Sequence, residues 1–333
     1  MDVIEQKWAG LYQHSIAPHY LQSWEWYLQP VKVLITESAS DGIPVAGSRL
    51  LRIPVVGGKF AHYKVPRGPI FSGIDALRQH LAELCEWLPA DALTLSVSPY
   101  FYADDPLCNE IDCGLREAGF ESIVAADHSY YQTTPRISLA EELAVIMARY
   151  RPAFRRQLAK AEKAGIRVEV RQDKNALRNY VEGHSAANLA RGAPAPDEAL
   201  IEAWHKQLAS SPESMRLSFA VWKDCNIAGQ ISMRCGEIEV YEWGYSNPDP
   251  QFAGLPKSHL LHHQTLVHAK ESGCLFYDLG GYWRGEGNTN SINRFKSMMS
   301  GELVDMLPPY QFVRRPLINS SLKIARKIRA NYL

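Results

Sequence analysis

The sequence predicts an α/β protein made of two copies of one unit, each a mixed, largely antiparallel sheet with a crossover helix. Two observations carry this expectation. With 333 residues the chain is too long for one ordinary core and implies two domains. The order strand, turn, strand, turn, strand, loop, helix, strand occurs at residues 31–97 and recurs at 217–279. The repetition lies in the pattern of elements and hardly at all in residue identity.

In the first copy, Val31–Thr36 alternates as a strand should, Asp41-Gly42 is a turn signal, and Gly47–Pro54 pairs back. Gly57-Gly58 turns the chain into Lys59–Val65, which ends at Pro66-Arg67-Gly68-Pro69. Asp75 is the expected N-cap of a helix through Leu88 with Leu77, Leu81, Leu84, Cys85 and Leu88 on its apolar face. Leu93–Val97 is the buried strand that closes this copy. In the second copy, Phe219–Trp222, Ile227–Cys235 and Ile238–Trp243 are strands, with turns at Asp224–Asn226 and Gly236-Glu237. A helix from Pro256 to Ser272 follows, with proline in its first turn and Gly273 at the left-handed C-cap position. The strand Leu275–Leu279 completes it.

The remaining segments read mostly as helix. His19–Leu28 is a short aromatic helix packed by Tyr20, Trp24 and Tyr27, and Cys108–Ala118 ends at Gly119. Ser138 opens a capping box with Glu141 for a helix towards Tyr150, and Pro152 starts another that ends at Ala164-Gly165. Ile166–Val170 is a strand, followed by helices Lys174–Leu189 and Pro196–Ala209. In a final helix, Leu322–Tyr332, the side chains of Leu322, Ile324 and Ile328 are expected to pack on the first domain. Lys323, Arg326, Lys327 and Arg329 then face solvent, where they would attract an anionic membrane. The expected domains are 1–137 together with 314–333, and 138–313.

Composition narrows the class. Apolar content is 46%, and no run approaches the ~18 apolar residues of a membrane span. The start, Met1-Asp2-Val3-Ile4-Glu5, lacks signal-peptide features, so a cytoplasmic protein is expected. Six cysteines without a CxxC pair read as free thiols. Formal net charge is zero but unevenly placed: Arg149 to Arg171 carry eight basic and two acidic side chains, and the last twenty residues six basic and none acidic. Such local basicity suits a phosphate-bearing ligand, and equally a set of solvated helix faces.

The most site-like stretch is the helix from Pro256, the strand to Leu279, Gly280-Gly281, a polar loop Tyr282–Asn290, and Asn293-Arg294-Phe295-Lys296. A strand end fixes the backbone, glycines let a ligand approach, and the cationic segment beyond supplies charge. This places Phe295 and Lys296 close to the chemistry. His259 and His263 stand i, i+4, but without an H-E-x-x-H arrangement or third ligand. With His262 and His268 they read as packing or polar-face residues, as do His62 and His128, and no metal is expected.

Several stretches together resemble the FemABX family of peptidoglycan-bridge aminoacyltransferases. They are Leu21-Gln22-Ser23 with Trp24 and Trp26, Tyr63 to Pro69, Arg155-Arg156 to Ile166, Tyr277-Asp278-Leu279-Gly280-Gly281, and Arg294-Phe295-Lys296 with Gly301-Glu302. The resemblance spans residues 19–316 and implies two acetyltransferase-like (GNAT-like) domains in tandem. Larger members carry a coiled-coil arm in the second domain, for which this chain has no room. The implied activity takes an amino acid from aminoacyl-tRNA and forms a peptide bond with an amine of a cell-wall precursor. It also implies Lys296 and Phe295 as catalytic, and Arg191, Arg67, Tyr63, Tyr245, Arg294, Tyr277 and Asp278 as substrate-binding, with Arg191 on the precursor's pyrophosphate. Two departures stand out. Leu189 and Ala195 flank Arg191 where a threonine and an aromatic are expected, and Ser98-Pro99 replaces an Asp-Pro pair, so no general base is named.

An aminoacyl ester is already activated, so the reaction needs no cofactor, only alignment, proton acceptance and oxyanion stabilisation. Two alternatives remain. One is acyl-CoA-dependent N-acylation of an amino sugar of a surface polysaccharide: Gln251-Phe252-Ala253-Gly254-Leu255-Pro256 nearly matches the Q-x-x-G-x-G/A pyrophosphate loop, although Pro256 has no N–H to donate. The other is a non-catalytic module binding tRNA or lipid through the basic stretches.

Overall fold

The computed structural model describes residues 2–26, 32–123, 132–284 and 291–331, and only the backbone of 323 and 325–331. Tyr27 to Val31, His128, loop residues 285–290 and the side chains of Lys323, Arg326, Lys327, Ile328 and Arg329 lie outside the described residues. The chain divides into two compact units, Met1–Trp24 with Leu28–Tyr130 and Met306–Leu333, and Glu25–Tyr27 with Tyr131–Asp305.

The first unit opens with a helix the sequence reading lacked, α1 (Val3–His14), whose Trp8 and Leu11 are buried. A capping box between Asp2 and Glu5 starts it. Where the aromatic helix was expected there is only a 3₁₀ turn, Tyr20–Gln22. Next come β1 (Lys32–Glu37), β2 (Pro44–Val55), β3 (Phe60–Val65), β4 (Ile70–Phe71), α2 (Ile74–Trp87), β5 (Ala92–Val97), α3 (Cys108–Glu117) and β6 (Glu121–Ser122). Gly73, not Asp75, is the N-cap of α2. Strands β1, β2 and β3 pair antiparallel, and β5 joins β3 in parallel after the crossover by α2. The far side of β5 is taken by β14 (Tyr310–Val313), from the end of the chain. Leu77, Leu81, Leu84, Leu95 and Ile111 fill the core between this sheet and its helices.

The second unit contains β7 (Thr133–Ser138), α4 (Leu143–Arg149), α5 (Pro152–Lys163), β8 (Arg167–Val170), α6 (Lys174–Leu189), α7 (Glu198–Ser210) and β9 (Met215–Trp222). It continues with β10 (Cys225–Cys235), β11 (Ile238–Ser246), α8 (Lys257–Glu271), β12 (Phe276–Asp278), α9 (Ser291–Ser297) and β13 (Glu302–Asp305). Its sheet order is β13-β7-β12-β11-β10-β9-β8. Strands β9, β10 and β11 pair antiparallel and β12 joins β11 in parallel after α8, repeating the β1-β2-β3-α2-β5 arrangement.

Ser138 ends β7 and does not open a capping box; the N-cap of α4 is Glu142. The units divide at 130/131 and 305/306, not at 137/138 and 313/314, because β7 pairs with β12 and β13 while β14 pairs with β5. The last helix, α10 (Pro316–Asn331), starts six residues earlier than expected, and Ile324, expected to pack inwards, is 61% exposed.

Candidate active site

The second sheet splits where β11 and β12 part. They pair only over Ile238–Val240 and Phe276–Asp278. Beyond that point β11 stays with β10, while Leu279 and Tyr282 donate their N–H groups to the Pro135 and Thr133 carbonyls of β7. A bulge on β11 coincides with the split: Trp243 faces Ile231 and Tyr241 faces Ser232, so that Glu242 is the extra residue of the bulge. Gly280 fits here as no other residue would, with φ of 71° and a position where a Cβ would stand 2.8 Å from the Tyr241 carbonyl oxygen.

Lys296 reaches into this split from α9. Its side chain is 5% exposed, and Nζ donates to the Gly281 carbonyl at 2.7 Å. Burial lowers its pKa from 10.5 to about 8, while Asp278 and Glu242 pull the other way. Asp278 is fully buried and accepts hydrogen bonds from the Thr134 hydroxyl and, at 2.6 Å, from the Gly280 N–H. Asn293 fastens α9 to the strand end, accepting from Trp283 N–H at 3.3 Å and donating to its carbonyl at 2.8 Å.

Phe295 turns to the core side. Its partly buried ring lies 5.0 Å from His262, 5.1 Å from His259 and 6.1 Å from Phe154, which anchors α9 to the core. The histidines of α8 are packing residues. Burial, with the charge of Lys296, pushes His262 down to about 3, and burial pushes His259 to about 4, so both are neutral at pH 7.

Two expected substrate contacts become core residues. Tyr277 is 0% exposed and its hydroxyl is bonded to His262 Nδ1 at 2.9 Å. Tyr245 fills a slot between Gly183 and Gly229, where added Cβ atoms would come within 2.4 and 2.5 Å of its ring. Arg294 is exposed on α9. Arg191 follows α6, with Nε donating to the Ala187 carbonyl at 3.1 Å. Tyr241 is raised to about 12 by burial, with the Arg191 charge opposing, and its ring centroid is 5.9 Å from Lys296 Nζ. Lys296 is thus brought beside Tyr241, with the charge of Asp278 acting on it.

Arg67 and Tyr63 belong to the first unit. Arg67 is buried with φ of 51°, its N–H donates to Ser98 Oγ at 2.9 Å, and its guanidinium lies 5.4 Å from the Tyr100 ring. His19 beside it is held well below its ordinary pKa by burial and by the Arg67 charge. Tyr63 points elsewhere: its hydroxyl donates to Asp91 Oδ1 at 3.0 Å, at the opposite end of β5 from Ser98. With Arg52 on the same carboxylate, Tyr63 is structural. Sequence reasoning missed Thr134, Tyr241 and Glu242, which come from a strand with an internal proline and from a strand bulge.

Residues 148–297 match the family model of the acetyltransferase (GNAT) domain. No curated protein matches the chain in sequence. Among solved structures the chain is similar to FemX, with a TM-score of 0.80 at 15% identity over 96% of this chain and 98% of that one. It is also similar to the C-terminal domain of a putative lysylphosphatidylglycerol synthetase from Agrobacterium fabrum (TM-score 0.57, 13% identity, 96% and 94% covered). A tandem GNAT protein from the clavulanic acid biosynthesis pathway is a third (TM-score 0.51, 12% identity, 92% and 94% covered). Residues 148–297 thus form an acetyltransferase-type (GNAT) domain, which makes the chain an acyltransferase, and the solved structures share its fold. Within that class its fold is the FemX-like pair of units. Among the described residues no helix exceeds the 16 residues of α6 and α10, so none forms a long coiled-coil arm, and none is long and apolar enough to cross a membrane.

Proposed function

We propose that this chain is a FemX-like aminoacyltransferase, moving an amino acid from aminoacyl-tRNA to an amine of a peptidoglycan precursor. The observation that carries the reading is the buried Lys296 ammonium at the split between β11 and β12. One of its three N–H groups is used by the Gly281 carbonyl, which leaves two to bind a developing oxyanion. With a pKa near 8 the group is mostly cationic at neutral pH. The acceptor amine attacks the ester carbonyl, the C–N bond forms, and the tetrahedral oxyanion rests on Lys296. The ester C–O bond then breaks, and the departing ribose oxygen takes up the proton that the amine loses. No further base is required if that proton passes within the complex. Arg191, just after α6, holds acceptor phosphate. Because the donor is a cytosolic RNA, the reaction belongs to the cytoplasmic side.

The β11–α8 loop favours an RNA ester over acyl-CoA. Pro256 caps α8 without an N–H, and the N–H groups of Gln251, Phe252, Ala253, Leu255 and Lys257 all bond within the loop. The Asp249 carboxylate occupies the same turn, where a pyrophosphate would be repelled. The test offers the purified protein charged tRNA or acyl-CoA with an amine-bearing wall precursor and follows the product by mass. Transfer from charged tRNA alone is expected; transfer from acyl-CoA alone contradicts the reading.

A further inference from the structure

The basic stretch from Arg149 to Arg171 carries eight cations, and the structure sorts them into two groups. Arg149 pairs with Glu141, Arg167 with Glu169 and Asp224, and Arg171 with Glu169. Arg151, Arg155, Arg156, Lys160 and Lys163 are exposed and have no carboxylate partner among the described residues. All five lie on α5 or at its N-cap, a row about 18 Å long at ~1.5 Å per residue. The inner side of that helix, Phe154, Leu158 and Ala161, is buried. The single acidic residue on it, Glu162, is exposed as well; burial lowers the His263 pKa and the Glu162 charge opposes that shift.

The same helix is fastened to the candidate site. The Arg151 N–H donates to the Met298 carbonyl at 2.9 Å, one residue past the helix that carries Lys296. Phe154 stands 6.1 Å from Phe295, and Lys160 Nζ donates to the Gly254 carbonyl of the β11–α8 loop at 2.7 Å. A ligand bound along the row therefore has one end beside α9.

We infer that the outer face of α5 docks the sugar–phosphate backbone of the RNA whose end carries the donor acyl group, an inference that rests on the aminoacyl-RNA reading above. A row of unpaired cations on a rigid helix suits a polyanion bound through its phosphates, without base readout. An anionic membrane fits less well. A membrane-surface helix needs an apolar side to insert, and that of α5 is already spent in the core.

The test measures binding of an uncharged acceptor-stem RNA hairpin by fluorescence anisotropy between about 50 and 200 mM salt. The combined variant Arg155→Gln, Arg156→Gln, Lys163→Gln should bind about tenfold more weakly at low salt. Its plot of log affinity against log salt should be shallower by about two, at ~0.7–0.9 per cation. Arg116→Gln with Lys206→Gln, on exposed helix faces elsewhere, should bind as the native protein does. Native affinity and slope in the triple variant overturn the inference, as does lost binding to anionic vesicles with RNA binding unchanged. Transfer assays separate this from the proposed function. With aminoacyl-adenosine as donor, too short to follow α5, the triple variant should equal the native protein, and with full-length charged RNA it should fall behind. If the native protein transfers from neither donor, the aminoacyl reading fails, while the hairpin measurement still decides the docking face.

Discussion

Replacing Lys296 with methionine should weaken catalysis and, at the same time, change how stability depends on pH. Methionine keeps the length of the side chain and removes the charge. The buried ammonium titrates near 8 in the folded chain instead of 10.5. At ~1.36 kcal/mol per tenfold, that interval is about 3 kcal/mol. The folded state binds fewer protons than the unfolded state between those values, so burial of Lys296 costs the native protein stability below pH 8. The cost fades as pH rises through 8 and is gone above 10.5. Against that relief, losing the bond to the Gly281 carbonyl penalises the variant by ~1–3 kcal/mol, and that penalty does not vary with pH. Urea unfolding of both proteins at neutral and at strongly alkaline pH isolates the varying part. Relative to native protein, the variant should be about 3 kcal/mol more stable at pH 7 than at pH 10.5. Its turnover should fall by about a hundred- to a thousand-fold. A stability difference that is flat with pH, or native turnover, refutes the reasoning.

Three other outcomes follow from the same geometry. In native protein the alkaline limb of kcat/KM should break near 8, the pKa of Lys296, and a profile without a break there contradicts its role as a cationic donor. Arg191→Ala should raise the acceptor KM by about tenfold to a hundredfold with little change in kcat, because a charge-assisted phosphate contact is made in ground and transition states alike; a drop in kcat alone would count against it. Tyr277→Phe should destabilise by ~1–3 kcal/mol by leaving His262 Nδ1 unpaired, with KM unchanged, and a raised KM would return Tyr277 to the substrate.

The repeated unit was legible because its signals are local: alternating strands, glycine turns and an amphipathic crossover helix each speak within ten residues or so. The strand β7 was not. Its run Thr-Thr-Pro-Arg-Ile-Ser has a proline at its centre, which argues against an inner strand, yet it pairs on both sides, with β12 and β13. Missing it hid Thr134, the donor to Asp278, and moved the domain boundary. For α1 the signal was present, in the Asp2–Glu5 capping box and the Trp8–Leu11 spacing. Lys296 could be singled out because a glycine pair and a strand end precede it. Tyr277 and Tyr245 could not be judged, since a strand does not declare which of its faces is covered: α8 covers Tyr277, and two glycines make the slot for Tyr245. The sorting of the α5 cations needed tertiary structure as well, because Arg167 and Arg171 meet their carboxylates only once β8 and the β9–β10 turn are folded.

The most direct test of the account is a crystal structure with a hydrolysis-resistant, amide-linked aminoacyl-adenosine. The carbonyl oxygen of the ligand should lie about 2.7–3.1 Å from Lys296 Nζ, in the split between β11 and β12. A ligand bound away from that split, with Lys296 still turned only to the Gly281 carbonyl, would contradict the central claim.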